Sequence, residues 1–314
     1  FMADVYGRLT GEAGVCLSTL GPGATNLLTG VADAHLDKSP LVAITAQGGL
    51  ERLHQESHQA IDVVDMFEPV TKWNTQIDAP DIIHESVRKA FKLAEHEKPG
   101  ATHLELPEDV AAEETLMEPL PVRERVEFAA PNANSLDRTK ELLKEAQRPI
   151  VITGNGAERT QAAEQLRELV SVTDLPVVST YMGKGAVSDA ERHSLMTLGS
   201  GAQKEATSAI DEADLVLTVG YDIAEHDPAD WGHGNADIVH VDSEPAEVYE
   251  AYLPEIEVVA DIGQTLQELV DWCRESGLSF DTDWYTDYRE RIVTDVNREP
   301  ASDPPFPVPD VFPV

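Results

Sequence analysis

Apolar runs of strand length alternate along the first 118 residues with stretches in which apolar residues recur at helical spacing. The predicted strands lie at 15–17, 40–46, 70–74 and 101–106. The predicted helices lie at 1–10, 26–36 and 82–96, with a helical turn at 61–67. Such alternation favours a parallel sheet covered on both faces, so this part is predicted to be an α/β domain in which the strand at 15–17 is buried.

The same alternation resumes after residue 135. Its predicted strands lie at 149–153, 176–180, 215–219, 237–242 and 258–262. Its predicted helices lie at 136–146, 157–172, 201–212 and 264–274. Strands that are each followed by a helix or turn favour a second doubly wound, Rossmann-like parallel sheet.

The boundaries between these parts follow from composition. Pro119, Pro121 and Pro131 lie among charged residues, which is typical of a linker between domains. We therefore predict a first domain at 1–118, a linker at 119–135, a central domain at 136–275 and a further linker at 276–314.

The two ends of the chain lack the features of complete elements. The sequence opens on Phe1, not Met, inside a helical pattern without an N-cap, and it ends in a proline-rich stretch at 304–314. We expect a fragment of a longer protein.

Charge narrows the classes of partner. The chain has 58 acidic and 23 basic residues and a net charge of −35. Such a field repels nucleic acids and anionic membranes, so neither is an expected partner. The acidic residues are spread along the chain, which predicts a halophilic protein whose solvated surface is screened by salt; a specific cationic partner is the alternative.

The sequence also indicates where the protein is located and whether it binds a metal ion. No apolar run reaches 18 residues and no signal peptide is visible, so a cytoplasmic protein is expected. Cys16 and Cys273 have no CxxC partner, so the sequence implies neither a zinc site nor a disulfide framework. His54 and His58 are four residues apart but have no third ligand, so no metal site is predicted.

Candidate chemistry concentrates where the predicted strands of the first domain end. Gly21-Pro22-Gly23 joins a strand to a helix, and backbone N–H groups in such a turn can cradle a phosphate. Asn26 and Gln47 lie near strand ends, where their amides could bind a neutral heterocycle or a carbonyl. The alternative is that the glycines only make tight turns and Asn26 only caps a helix; spacing alone leaves both open.

The central domain carries a weaker signal. Gly154-Asn155-Gly156 follows a strand, but Arg159 stands where a dinucleotide fingerprint has its third glycine. Asp242 and Asp261 at strand ends could bind ribose hydroxyls, although acidic residues are so common here that chance explains them better.

Two groups of segments resemble a known family. FMADVYGRLTG at 1–11 and GPGATN at 21–26 resemble the pyrimidine-binding domain of thiamine-diphosphate enzymes, in particular the acetolactate (acetohydroxyacid) synthase large subunits. The segments 213–222 and 238–248 resemble the central domain of that family. The resemblance implies a homodimer or homotetramer that decarboxylates pyruvate and condenses it with a second 2-keto acid, in branched-chain amino acid biosynthesis.

The resemblance also implies site residues. It assigns Gly21, Pro22, Gly23 and Asn26 to the turn near the cofactor and the dimer interface, and Gln47 to the active-site end of a strand. It assigns His58 and Gln59 to an active-site loop. The glycine turn would then hold the pyrimidine end of thiamine diphosphate, not its phosphates.

The resemblance places other parts of the machinery outside these residues. The glutamate that activates the cofactor would precede Phe1, and the domain that binds diphosphate and Mg²⁺ would follow Val314. No catalytic residue is therefore expected within the chain, which alone should be inactive.

Flavin content is a separate question. Biosynthetic members of the family hold a non-redox FAD and carry an arginine where this chain has Asp222. Gly220-Tyr221-Asp222 with Trp231 resembles the flavin-independent, catabolic synthases, and an aspartate there would repel a pyrophosphate, so FAD is not expected.

Two alternatives to an acetolactate synthase stay open. One is another thiamine-diphosphate 2-keto acid decarboxylase or lyase, and the other is a non-catalytic nucleotide-binding module.

Overall fold

The computed structural model describes residues 1–122, 128–199, 204–232 and 234–297. The chain divides into two compact units, Phe1–Val126 and Glu127–Val314. Each unit is built on one sheet whose strands pair in parallel, and helices lie between successive strands. The predicted fold class, two α/β domains with parallel sheets, is confirmed.

The first unit has a four-stranded sheet in the order β1-β2-β4-β3. Its strands are β1 (Gly14–Ser18), β2 (Leu41–Gln47), β3 (Trp73–Gln76) and β4 (Ala101–Pro107). Its helices are α1 (Met2–Thr10), α2 (Pro22–Leu36), α3 (Val63–Phe67), α4 (Ile83–Glu95) and α5 (Glu108–Ala111). β2 and β4 are buried between two apolar clusters, one built on Leu41 and Ala43 and the other on Val42 and Leu104.

The second unit has a six-stranded sheet in the order β10-β9-β8-β5-β6-β7. Its strands are β5 (Pro149–Thr153), β6 (Val177–Ser179), β7 (Ser194–Thr197), β8 (Leu215–Val219), β9 (Asp237–Asp242) and β10 (Ile256–Val259). Its helices are α6 (Ala133–Glu145), α7 (Asn155–Arg159), α8 (Ala163–Thr173), α9 (Lys204–Glu212), α10 (Ile262–Ser276) and α11 (Asp283–Val296). The chain extends the sheet from β5 to one side and returns at β8 to extend it on the other. The carboxyl ends of β5 and β8 therefore flank the switch point at which such sheets bind ligands.

The expectation that the strand at 15–17 is buried is wrong. Val15 is 50% exposed and Leu17 is 74% exposed. β1 is an edge strand, and α1 and α2 pack on the face that carries Cys16. In the described part of this unit, the apolar cluster on the opposite side of the sheet contains no residue of β1.

Several other elements differ from the predictions. The strand predicted at 70–74 begins only at Trp73, because Glu68–Val70 forms a 3₁₀ turn around a proline. The helix predicted at 157–172 is two helices, α7 and α8. The last strand ends at Val259, because Asp261 accepts a hydrogen bond from the Gln264 N–H and so begins α10.

Three observed elements, α5, β7 and α11, had no predicted counterpart. β7 is a short edge strand, and α11 lies within the stretch predicted as a C-terminal linker. Parts of three predictions lie outside the described residues: 123–127 of the first linker, 201–203 of the helix at 201–212, and 298–314 of the second linker. In the described part of the chain, no helix is both long and apolar enough to cross a bilayer.

Candidate functional site

The glycine turn lies at the carboxyl end of β1, beside the end of β2. The two strands pair from Gly14 opposite Leu41 to Ser18 opposite Thr45, so the segments that follow them leave the same edge of the sheet. Gly21 has a φ of +54° and caps the N-terminus of α2. A Cβ at Gly21 would lie 2.3 Å from the backbone oxygen of Gln59, so only glycine allows the loop to pack against the turn.

The start of α2 carries no side-chain cap. Pro22 occupies the first helical turn, which holds no acidic residue. Pro22 and Asn26 are exposed, and Gly23 donates a hydrogen bond to the Leu20 oxygen over 3.2 Å. A helix N-terminus without a competing carboxylate favours a partial negative charge nearby.

Gln47 has an internal role. Its side chain is buried, and its Nε2 donates both to the backbone oxygen of Ile61, over 2.8 Å, and to Oε1 of Glu105, over 2.9 Å. Its Oε1 accepts a hydrogen bond from the Gly48 N–H over 2.9 Å. Both amide protons are therefore used within the protein, and Gln47 ties the loop at residues 54–61 to the sheet. Direct contact between Gln47 and a cofactor stays a prediction.

Gln47 belongs to a buried group that we call the β2–β4 polar cluster: Thr45, Gln47, His103 and Glu105. Glu105 is 2% exposed, and burial, with smaller contributions from Asp62 and Asp78, raises the pKa of its carboxyl to about 7 although Gln47 opposes the shift.

His103 is the second titratable member of the β2–β4 polar cluster. Its Nε2 lies 2.8 Å from Thr45 Oγ1, and its ring stacks on Phe67. Burial lowers the pKa of His103 to about 4, so the ring is neutral at neutral pH.

Sequence reasoning missed this cluster, although a signal was present. His103 and Glu105 alternate with Leu104 and Leu106 inside a run predicted to be a buried strand. Polar groups buried in a sheet must find hydrogen-bond partners, so such residues mark a network.

The predicted loop residues lie near the turn but on the surface. His58 and Gln59 are exposed, and Gln59 adopts a positive φ of 56°. The backbone of Gln59 contacts Gly21, whereas Asn26 lies on the exposed face of α2. The structure therefore brings together the turn, the loop and, through Ile61, Gln47.

The other candidate residues either stabilise local structure or have no group of metal ligands around them among the described residues. Asp261 caps α10, and Asp242 Oδ1 accepts hydrogen bonds from Ser243 Oγ and the Glu244 N–H. His54 and His58 gain no further ligand, since no three His, Cys, Asp or Glu side chains among the described residues are grouped to hold a metal ion.

Comparison with protein families adds two matches. The model described as "Thiamine pyrophosphate enzyme, N-terminal TPP binding domain" matches residues 1–66, and that described as "Thiamine pyrophosphate enzyme, central domain" matches residues 136–269. The first match contains the turn, Gln47 and the loop, and the second contains β5 to β10.

Individual relatives are similar over most of the chain. A probable acetolactate synthase large subunit from Methanocaldococcus jannaschii is 34% identical over 276 residues, which is 85% of this chain and 47% of the relative. An acetolactate synthase large subunit from Cyanidium caldarium is 32% identical over 299 residues, 92% of this chain and 51% of the relative. An acetolactate synthase from Mycobacterium leprae is 32% identical over 292 residues, 90% of this chain and 47% of the relative. The chain thus spans about half the length of these relatives.

Proposed function

Because the chain belongs to the thiamine pyrophosphate enzymes, we propose that it supplies the pyrimidine-binding and central domains of an acetolactate-synthase-like carboligase. The observation that carries this proposal is the turn Gly21–Gly23, held against the loop by Gln59 within the segment similar to the TPP-binding domain. The names of the relatives support acetolactate synthesis from 2-keto acids over other reactions of the family.

The first unit's residues would bind and orient the pyrimidine end of the cofactor. Gly21 lets the loop backbone approach the start of α2, so that the turn and the loop together would form the surface for the pyrimidine ring. Gln47 would affect cofactor binding indirectly, because its hydrogen bond to the Ile61 oxygen positions the loop.

Pro22, Asn26, His58 and Gln59 are exposed in this chain, which suits a site completed by another domain or subunit. We propose a homodimer or homotetramer in which this surface faces the diphosphate-binding domain of a partner. Mg²⁺ would be held there with the diphosphate, since the described residues of this chain offer no cluster of ligands for it.

When bound, thiamine diphosphate supplies an electron sink for the decarboxylation of 2-keto acids. Turnover is proposed for the full-length protein, since the chain spans about half the length of its relatives. The spread of 58 acidic residues supports the further proposal that this enzyme works at high salt, and a cytoplasmic location stays a prediction.

Product analysis tests the proposal. The full-length protein is incubated with pyruvate, thiamine diphosphate and Mg²⁺ at high and low KCl, and acetolactate and acetaldehyde are quantified. We expect acetolactate that depends on the cofactor. Acetaldehyde without acetolactate would favour the alternative, a simple 2-keto acid decarboxylase, and no product with no cofactor binding would refute both.

A further inference from the structure

The ligand crevice expected for the second unit lies at the carboxyl ends of β5, β6 and β8. Gly154 and Gly156 follow β5, Gly183 follows β6, and Gly220 follows β8. In open α/β sheets, glycines at this place usually let a dinucleotide pyrophosphate approach the backbone. This is therefore the part of the central domain in which the ADP portion of an FAD would be expected.

These glycines admit the protein's own backbone instead. A Cβ at Gly154 would lie 2.4 Å from the Gly220 oxygen, and one at Gly156 would lie 2.5 Å from Gly220 Cα. A Cβ at Gly183 would lie 2.3 Å from the Thr153 oxygen. The space that the missing side chains leave is filled by the neighbouring loops.

The backbone N–H groups of the turn after β5 are also engaged. The Gly154 N–H donates to the Val219 oxygen over 3.0 Å, and the Gly156 N–H donates to the Gly220 oxygen over 2.8 Å. The Ala157 N–H donates to the Gly154 oxygen over 3.2 Å. In a dinucleotide site, N–H groups at this position point at the pyrophosphate.

The fourth N–H of the turn meets a carboxylate. The Asn155 N–H lies 3.1 Å and 3.0 Å from the two carboxylate oxygens of Glu225, which belongs to the loop after β8. Thr180 Oγ1 donates to Glu225 Oε2 over 2.5 Å, and the Gly183 N–H donates to Thr180 Oγ1 over 2.9 Å. One carboxylate thus joins the loops that follow β5, β6 and β8.

We propose that the Glu225 carboxylate takes the place of a bound anion in this crevice, so that the second unit binds neither FAD nor another dinucleotide there. The residues present do not fit a pyrophosphate, because the N–H donors that would hold it are already used and the Glu225 carboxyl group occupies the acceptor position beside Asn155. Asp222 on the same loop adds a second carboxylate to the surroundings. This proposal concerns the second unit and stands or falls independently of the carboligase activity.

Ligand binding gives the direct test. The purified full-length protein is expected to show no flavin absorbance near 450 nm and no saturable binding of FAD or ADP in fluorescence titrations. A stoichiometric flavin chromophore, or saturable binding of either probe to the wild type, would overturn the proposal. Neither readout depends on turnover.

Chemical rescue tests whether Glu225 stands in for an anion. Glu225→Ala leaves a gap beside Asn155 N–H and Thr180 Oγ1, and we expect its Tm to fall by about 5 °C. Rescue is measured as the gain in Tm over that given by chloride at equal ionic strength, and formate should give such a gain in Glu225→Ala but not in the wild type. The same response to formate and chloride would contradict the proposal.

Two further variants keep the test decisive. Glu257→Ala is the matched control, because Glu257 is exposed and accepts one backbone N–H, from Ala246, without an enclosed gap; it should show no rescue by formate. Glu225→Gln keeps the size of the side chain and should fold even if Glu225→Ala does not. It should lose less stability than Glu225→Ala and gain no more from formate than from chloride. A gain over chloride equal to that of Glu225→Ala would count against the proposal.

Discussion

Replacement of Glu105 by glutamine should remove a large part of the pH dependence of stability. Glu105 is buried in the β2–β4 polar cluster and accepts one hydrogen bond, from Gln47 Nε2. Burial raises the pKa of its carboxyl from an ordinary value of 4.5 to about 7. Between these two values the native state keeps a proton that the unfolded chain releases.

The sign and size of the effect follow from linkage. The unfolded state binds fewer protons in this window, so the free energy of unfolding falls as pH rises from about 4.5 to 7. At about 1.4 kcal/mol per pKa unit, ionisation of Glu105 costs the native state up to about 3 kcal/mol by pH 7.5. Glu105→Gln is neutral at every pH and can keep the bond from Gln47, so it escapes this loss.

Urea unfolding at constant ionic strength, followed by circular dichroism between pH 5 and 7.5, measures the difference. Relative to wild type, Glu105→Gln should gain about 2–3 kcal/mol in free energy of unfolding across this range. Burial lowers the pKa of His103 to about 4, so the free energy of unfolding of both proteins falls as pH drops below 6.5. This contribution is the same in both proteins and cancels in the comparison.

An exposed carboxylate provides the control. Glu108 pairs with Arg52 at the surface, and Glu108→Gln should follow the wild-type pH profile. Parallel profiles for wild type and Glu105→Gln would refute the reasoning, because they would mean that Glu105 ionises at its ordinary pKa in the native state.

Three other outcomes are expected. Gln47→Ala should lower the free energy of unfolding by about 2–3 kcal/mol, because it leaves buried Glu105 without its donor, and limited proteolysis should then cut the loop at 54–61 faster. Tyr285→Phe should cost about 1–2 kcal/mol and expose α11 to hydrogen exchange, because the Tyr285 hydroxyl donates to the Asp174 oxygen and lies 2.9 Å from His193 Nδ1. Because the net charge is −35, the Tm should rise steadily with KCl up to molar concentration, and a Tm independent of salt would contradict the halophilic interpretation.

The sequence predicted best those strands whose burial shows in a continuous run of apolar residues. Central strands such as β5 and β8 are continuous apolar runs because helices cover both of their faces, and these runs are visible without a structure. β7 is a four-residue edge strand of mixed polarity, and α11 buries only Tyr285 and Ile292, so neither has a strong pattern of its own.

Long-range features were beyond the sequence patterns. The exposure of Val15 and Leu17 reflects the lack of β1 residues in the apolar cluster on that side of the sheet, which no local spacing encodes. The β2–β4 polar cluster depends on pairs 58 residues apart, from Thr45 to His103 and from Gln47 to Glu105. The glycine turn was found because its residues are contiguous, whereas its contact with Gln59 appears only in the fold.

A calorimetric titration of the full-length protein with thiamine diphosphate and Mg²⁺ tests the central claim, that the turn at Gly21 holds the pyrimidine end of the cofactor. Gly21→Ala would place a Cβ 2.3 Å from the Gln59 oxygen, while Gly277→Ala imposes a similar backbone strain, at a φ of 68°, in open space. We predict saturable binding that is weakened at least about tenfold in Gly21→Ala and unchanged in Gly277→Ala, a difference of about 1.4 kcal/mol or more. Absence of binding by the full-length protein, or equal affinity of Gly21→Ala and wild type, would contradict the claim.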